Sequence, residues 1–305
     1  MLAVLSASNG IYEVRVSDVS DGFSTGSWNA FTGAGHSTGP FNDILYDEAG
    51  SGAFVQQDTN FSTLRIYGQA GGSTDYAFGA NGDGLAMDLD AFVISEGASP
   101  FGANGVRTTW SLPGESLEIV QDVVISGSTV SDSAIYHTIE VRNTGGASTS
   151  IGWRNLYDWQ IDDPTDPGNF DDGPGNGIEL SGGASVVPMT TTEFSHTPSA
   201  DELARIRFLP GSAPYEVLLA LGFDPGFIPA LPVTLPDEYA YVSWPIAAFT
   251  NFDYVPTGET AGVDDPATPD DSAGAVWYGR DAAAAVDIGA GESARFTQVV
   301  FAVDA

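Results

Sequence analysis

The chain contains no lysine and no cysteine, and only three histidines among 305 residues. Without lysine, its nine cationic side chains are all arginines, set against 41 carboxylates for a formal charge of −32. A field of that sign repels nucleic acid and anionic lipid, which excludes binding to either by phosphate neutralisation. The lack of cysteine excludes disulfides, thiolate metal centres and cysteine nucleophiles. His36, His137 and His196 are scattered without metal-ligand spacing, so no HExxH-type zinc site is present. No run approaches the roughly 20 apolar residues that cross a bilayer, and membrane insertion is not expected. There is also no GxSxG elbow, P-loop or dinucleotide fingerprint.

What the chain does have is enough apolar material for a large core. Its hydrophobic residues make up 42% of the total and its aromatics 11%, so the acidity is not that of a disordered tail. Short alternating or β-branched segments recur between Gly, Asn, Asp, Ser and Pro. Ile11 to Val16, Ser62 to Gly68, Gly105 to Leu112, Leu117 to Ile125 and Ala134 to Arg142 read as strands, as do Ser150 to Trp159, Glu238 to Trp244 and Ala294 to Val303. Strand spacing of roughly 10–20 residues argues for an antiparallel sandwich over βαβ units. Ser199-Ala-Asp-Glu202 has the form of a capping box and predicts one short helix from Leu203. Tyr215 to Leu221 fits either a helix or a buried strand. Segments 17–39, 162–177 and 257–274 read as long polar loops. The expectation is an all-β chain, one large antiparallel β-sandwich domain over residues 1–305, with at most one or two short helices.

The richest chemical segment is Asp158 to Gly177, reading DWQIDDPTDPGNFDDGPGNG. Asp158 closes an aromatic strand, and Asp162, Asp163, Asp166, Asp171 and Asp172 follow on a Pro/Gly-bent loop. Carboxylates so close in sequence repel one another unless a hard cation neutralises them, and an irregular loop suits calcium better than magnesium. The spacing is not that of an EF-hand. A solvated, salt-adapted acidic surface is the other reading of the same residues. Asp264 to Asp271 has a similar flavour but reads as a plain surface loop.

Catalytic signals are weak, because 41 acidic residues place a carboxylate pair anywhere by chance. His137 shares a strand face with Ile135, Ile139 and Val141 and reads as a hydrogen-bonded core histidine. Trp153, Tyr157 and Trp159 lie on one side of their strand, opposite Arg154 and Asp158. Such a row is a sugar-stacking platform if exposed; apolar neighbours favour core. Trp277-Tyr278-Gly279-Arg280 poses the same question.

Two segments carry a family resemblance. Ile139-Glu-Val-Arg-Asn-Thr-Gly-Gly146, followed by Ile151-Gly-Trp-Arg-Asn-Leu-Tyr-Asp158, resembles the strand–NTG turn–strand unit of large secreted bacterial and archaeal β-sandwich proteins. Val286-Asp-Ile-Gly-Ala-Gly-Glu-Ser-Ala-Arg-Phe-Thr-Gln298 resembles their terminal hairpin. Some such proteins are related to the galactose-mutarotase-like supersandwich, which implies that fold here. The catalytic histidine and glutamate pattern of that fold is not recognisable in this chain.

The expected function is therefore a non-enzymatic extracellular or surface/matrix-associated protein whose acidic loops bind calcium. The alternative is a carbohydrate-binding or carbohydrate-active protein of lyase, glycosidase or mutarotase-like type. That alternative predicts a concave sheet face carrying exposed Trp or Tyr beside an Arg, with at least two carboxylates in reach of one ligand. Polysaccharide or other surface proteins are the partners these readings imply. Met1-Leu-Ala-Val-Leu-Ser is too short and uncharged for a signal peptide, so the export route is left open.

Overall fold

The computed structural model describes residues 3–18, 25–45, 60–68, 72–80, 90–93, 95–161, 176–183, 186–208, 215–222, 233–258 and 272–305. Its strands, in chain order, are β1 (Ala3–Ser8), β2 (Tyr12–Asp18), β3 (Trp28–Thr32), β4 (Phe61–Tyr67), β5 (Ser73–Phe78), β6 (Ala91–Val93) and β7 (Gly97–Phe101). There follow β8 (Gly105–Leu112), β9 (Leu117–Ser126), β10 (Ala134–Asn143), β11 (Thr149–Asp158), β12 (Asn176–Ser181) and β13 (Phe194–His196). The last are β14 (Leu203–Phe208), β15 (Tyr215–Ala220), β16 (Glu238–Ser243), β17 (Ser272–Tyr278), β18 (Val286–Ile288) and β19 (Ser293–Asp304). One sheet runs β12-β14-β15-β19-β10-β9-β8-β7 and a second β13-β16-β17-β11-β4-β5-β6, with β18 added beside β11; β1-β2-β3 form a small third sheet. Among the described strands every pair is antiparallel except β5 with β6. This is the large all-β sandwich that the alternation predicts.

Period-two patterning sets the layers. In β9 the buried set Leu117, Ile119, Gln121, Val123 and Ile125 alternates with half-buried residues, so one face of its sheet looks inward. Trp153 and Tyr157 of β11, and Trp159 just beyond its end, look back at it and are fully buried, which settles the aromatic row as core. Their rings reach across: Trp153 stacks on Phe296 of β19 at 6.4 Å, and Phe78 of β5 meets Trp110 of β8 edge-on at 5.6 Å.

A polar thread runs through this core. Trp153 Nε1 donates to Asn155 Oδ1 at 2.7 Å, and Asn155 Nδ2 donates to Gln298 Oε1 at 2.6 Å. His137 is buried as expected, with Nδ1 at 2.8 Å from the Tyr157 hydroxyl and Nε2 at 3.1 Å from Gln121 Oε1.

Two local expectations are corrected and one open choice is decided. The capping-box residues do interact, Ser199 N–H donating to the Glu202 carboxylate at 2.5 Å. Yet Leu203 begins strand β14 rather than a helix. Glu202 is buried under His196, and pairing with β12 and β15 satisfies the backbone that a helix would otherwise use. Tyr215–Ala220 resolves as a buried strand. Within the loop expected at 17–39 lies β3, whose five residues are all buried, because Trp28 packs against His137 and Tyr157.

The two motifs behind the family resemblance are not hairpins. Strand β10 belongs to the first sheet and β11 to the second, and β18 and β19 divide in the same way. Both turns are corners where the chain changes sheet, and they are stitched together. Asn143 N–H donates to Glu292 O at 2.9 Å, Gly291 N–H to Asn143 O at 3.0 Å, and Asn143 Nδ2 to Ile288 O at 3.0 Å. Alternation and a turn residue look alike in a hairpin and in a corner, so sequence pattern alone does not separate them.

Candidate functional site

The outer face of the second sheet, turned away from the inter-sheet core, is where charge and aromatics meet. Small residues prepare it: Ala240 and Val242 of β16 and Ala273 and Ala275 of β17 form an apolar floor. On that floor sits α1 (Trp244–Thr250), the one α-helix among the described residues, whose Trp244, Ala247 and Ala248 are buried in the same cluster. A proline in its first turn suits helix entry. Its exit residue Asn251 has a left-handed backbone (φ 59°), which asparagine tolerates better than most residues. A short 3-10 turn, Asn251–Asp253, follows and sets Phe252 and Asp253 over the sheet. The seat for Phe252 needs glycine at position 152. A Cβ there would lie 2.6 Å from Phe252 Cζ and 2.5 Å from Gly279 O.

Three of the nine arginines gather on this face and alternate with rings. Arg65 lies over Phe252 at 4.4 Å, Arg280 over Trp277 at 4.3 Å and over Phe252 at 5.9 Å, and Arg154 over Trp277 at 5.5 Å and over Phe61 at 5.9 Å. Each stacked pair is attractive through the ring quadrupole. Arg65 is clamped by its cross-strand partner Asp75, with Nε–Oδ1 2.8 Å and Nη2–Oδ2 2.6 Å. On its far side Asp253 accepts from Nη2 at 2.8 Å. Arg280 donates from Nε to Glu238 Oε2 at 3.0 Å and from its terminal nitrogens to the carbonyls of Phe252 and Tyr254.

Between β4, β5 and the turn after β17 lies an open cleft of about 310 Å³, bordered by Arg65, Tyr67, Ser73, Asp253, Arg280 and Asp281. The Asp253 side chain is 66% exposed there. The hydrogen bond from Arg65 is the main reason its carboxyl titrates below the usual range. Burial pushes the Tyr67 phenol up to about 12, and its hydroxyl donates to Gly279 O at 2.7 Å. Asp281 Oδ1 accepts from the backbone N–H groups of Ala283 and Ala284, holding the cleft's far wall as a turn.

This arrangement has the polar elements that the carbohydrate alternative calls for, two arginines and two carboxylates about one opening, with a half-buried tyrosine where that alternative expects an exposed ring. Sequence reasoning reached Arg280 but missed Arg65, Tyr67, Asp253 and Asp281. The available signal was Arg65 standing alone in the strand Phe61–Tyr67 with an aspartate in the next strand. Asp253 arrives from far along the chain, and nothing local announces it.

Of the six aspartates expected to bind calcium, Asp158 ends β11, is buried, and donates its backbone N–H to Asn60 Oδ1 at 2.7 Å. Asp162, Asp163, Asp166, Asp171 and Asp172 lie outside the described residues, as does the 264–271 run. Among the described residues no group of three or more His, Asp or Glu side chains is placed to hold a metal. Nor is any described helix long and apolar enough to cross a membrane.

No protein-family model and no curated protein matches the chain in sequence. Among solved structures it is similar to the galactose mutarotase related enzyme of Lactobacillus acidophilus, at 10% identity and a TM-score of 0.56, over 99% of this chain and 98% of that one. It is also similar to a galactose mutarotase-like protein of Lactobacillus casei ATCC 334, at 8% identity and a TM-score of 0.49, over 99% and 100% of the two chains. The first of these likenesses makes the architecture a galactose-mutarotase-like β-sandwich, the fold implied by the two corner motifs.

Proposed function

We propose that the protein recognises a carbohydrate, one neutral sugar ring, in the Arg65–Tyr67–Arg280 cleft. The observation that supports this most is the clamped Arg65 on its Phe252 bed beside Tyr67 and an exposed Asp253 carboxylate. Such a wall offers fixed donors and acceptors to vicinal hydroxyls. Both guanidiniums are already matched by carboxylates, which favours a neutral over an acidic sugar. The cleft is at the small end of ligand pockets, roughly 300–1,000 Å³, and suits a single ring. Mutarotase-type turnover would need an acid and a base poised near the working pH. Asp253 lies well below that range and Tyr67 well above it, and none of the three histidines borders the cleft. Binding is therefore the favoured reading over turnover.

Galactose and glucose titrated calorimetrically should show saturable binding. Arg65→Lys, which keeps the charge but loses the planar fork, should weaken it about tenfold, and Tyr67→Ala should do the same. Arg295→Met on the other sheet should leave it unchanged. No saturable response to any monosaccharide, or unaltered affinity in both cleft variants, would overturn the reading. Anomer exchange followed by NMR in the same samples should proceed at its uncatalysed rate.

Calcium binding by Asp158, Asp162, Asp163, Asp166, Asp171 and Asp172 is a separate proposal, and an extracellular or cell-surface setting belongs with it. It is favoured by the rigid anchoring of Asp158 at a strand end. At fixed ionic strength calcium should raise the thermal midpoint more than magnesium does, and Asp162→Asn with Asp163→Asn should remove the difference. An equal response to both ions would reduce these carboxylates to a screened surface.

A further inference from the structure

Each of the other eight arginines is paired with a carboxylate, whereas Arg154 has none among the described residues. It is also the most deeply placed, with 0% of its surface exposed. Its Nη1 donates to Asn251 Oδ1 at 2.8 Å, but Nε and Nη2 meet no acceptor. Those two nitrogens form the side-on edge of a guanidinium, the geometry that grips two oxygens of one anion. Two other arginines of this protein use that edge in just this way. Arg65 holds Asp75 through Nε and Nη2 at 2.8 and 2.6 Å, and Arg107 holds Asp122 through the same pair at 2.7 and 2.7 Å.

The neighbouring unmet group is a donor as well. Asn251 Oδ1 is occupied by Thr63 and Arg154, while its buried Nδ2 has no partner. Donors without acceptors around an unpaired charge call for an anion. Water would satisfy the hydrogen bonds and leave the charge uncompensated, a costly state away from solvent. Burial, and then the charge of Arg280, pulls Arg154 down to about 9, so the guanidinium is still cationic at neutral pH. The complete burial of Arg154 limits the occupant to a small ion.

We propose that Arg154 and Asn251 bind a small planar monoanion of the carboxylate class, held through the Nε–Nη2 edge of Arg154. The site is distinct from the sugar cleft, which Arg154 does not line; the two are joined through Arg280 and the 3-10 turn Asn251–Asp253. In a protein of charge −32 it is a local cationic seat that a surrounding salt can fill, and the anion acts as a folding partner by mass action.

The test is thermal unfolding of the full chain in sodium formate and in sodium fluoride at equal total ionic strength. Formate at a hundredfold excess over its dissociation constant should raise the midpoint by about 5 °C beyond fluoride, and saturably. Arg154→Met should abolish the formate-specific rise while leaving galactose binding in place, which separates this site from the cleft. Asn251→Asp supplies a carboxylate beside the guanidinium and should diminish the rise, so the proposal stays testable if Arg154→Met does not fold. Equal responses to the two salts, or a rise retained in both variants, would overturn it. So would a shift with glucuronate and none with formate, which would place the anion on a sugar.

Discussion

Replacing Trp277 with alanine should lower folding stability by about 3–5 kcal/mol and should weaken sugar binding in the folded fraction at least tenfold. The ring is fully buried on the outer face of the second sheet, and two guanidiniums rest on it, Arg280 at 4.3 Å and Arg154 at 5.5 Å. Its Nε1 donates to Phe252 O at 3.1 Å, the carbonyl that also receives Arg280. Truncation therefore opens a cavity, removes the stacking partner shared by two like charges, and frees the 3-10 turn that carries Phe252 and Asp253 into the cleft. Trp277→Phe keeps a ring and loses the N–H, and should cost about 1–2 kcal/mol. Urea unfolding at constant salt, with galactose titration of the same variants, reads both effects. A loss below about 1 kcal/mol for Trp277→Ala, out of line with large-to-small core truncations, would mean that the ladder is an ornament on a face held by α1 alone.

The fold was legible where one face of a strand had to be apolar. Leu117–Ser126 and Ala134–Asn143 show that alternation in both sequence and burial. It failed where burial was two-sided. Every residue of Trp28–Thr32 and Tyr215–Ala220 is buried, so no period-two signal survives, and the first passed for loop while the second stayed ambiguous. Ser199–Glu202 misled for a different reason. The side-chain to backbone bond of a capping box forms, but tertiary pairing of Leu203–Phe208 decides the backbone. The cleft was legible only at Arg280, because its other members come from β4, the turn after α1 and the turn after β17. The apolar strip that brings Asn251–Asp253 over Arg65 is made of three alanines and a valine, which no sequence signal marks as a docking floor.

Acidification should destabilise the protein through His137 before its carboxylates contribute fully. Burial pulls this imidazole down to about 3 from an ordinary 6.5, so the folded state favours the neutral ring. In that form Nε2 donates to Gln121 Oε1, whose amide nitrogen is engaged with Gly26 O, and Nδ1 lies 2.8 Å from the Tyr157 hydroxyl. The unfolded chain takes up a proton near pH 6.5 and the folded one does not. The contribution of His137 is therefore complete above about pH 6.5 and is lost as pH falls from there toward 3, by about 1.4 kcal/mol per unit for a single site. Glu140 and Asp253 are held low chiefly by their bonds to Arg295 and Arg65. Their contributions also fade on acidification, but within the ordinary carboxylate range and below it. His137→Gln can retain hydrogen bonds to Tyr157 and Gln121 without titrating, so subtracting its stability curve from that of the wild type isolates the histidine. Between pH 7 and 4.5 the wild type should lose about 2–3 kcal/mol more than the variant, with the difference growing steadily below pH 6.5. Parallel curves would show that the ring is protonated in the folded protein, and that Gln121 and Tyr157 both accept from an imidazolium buried in the core.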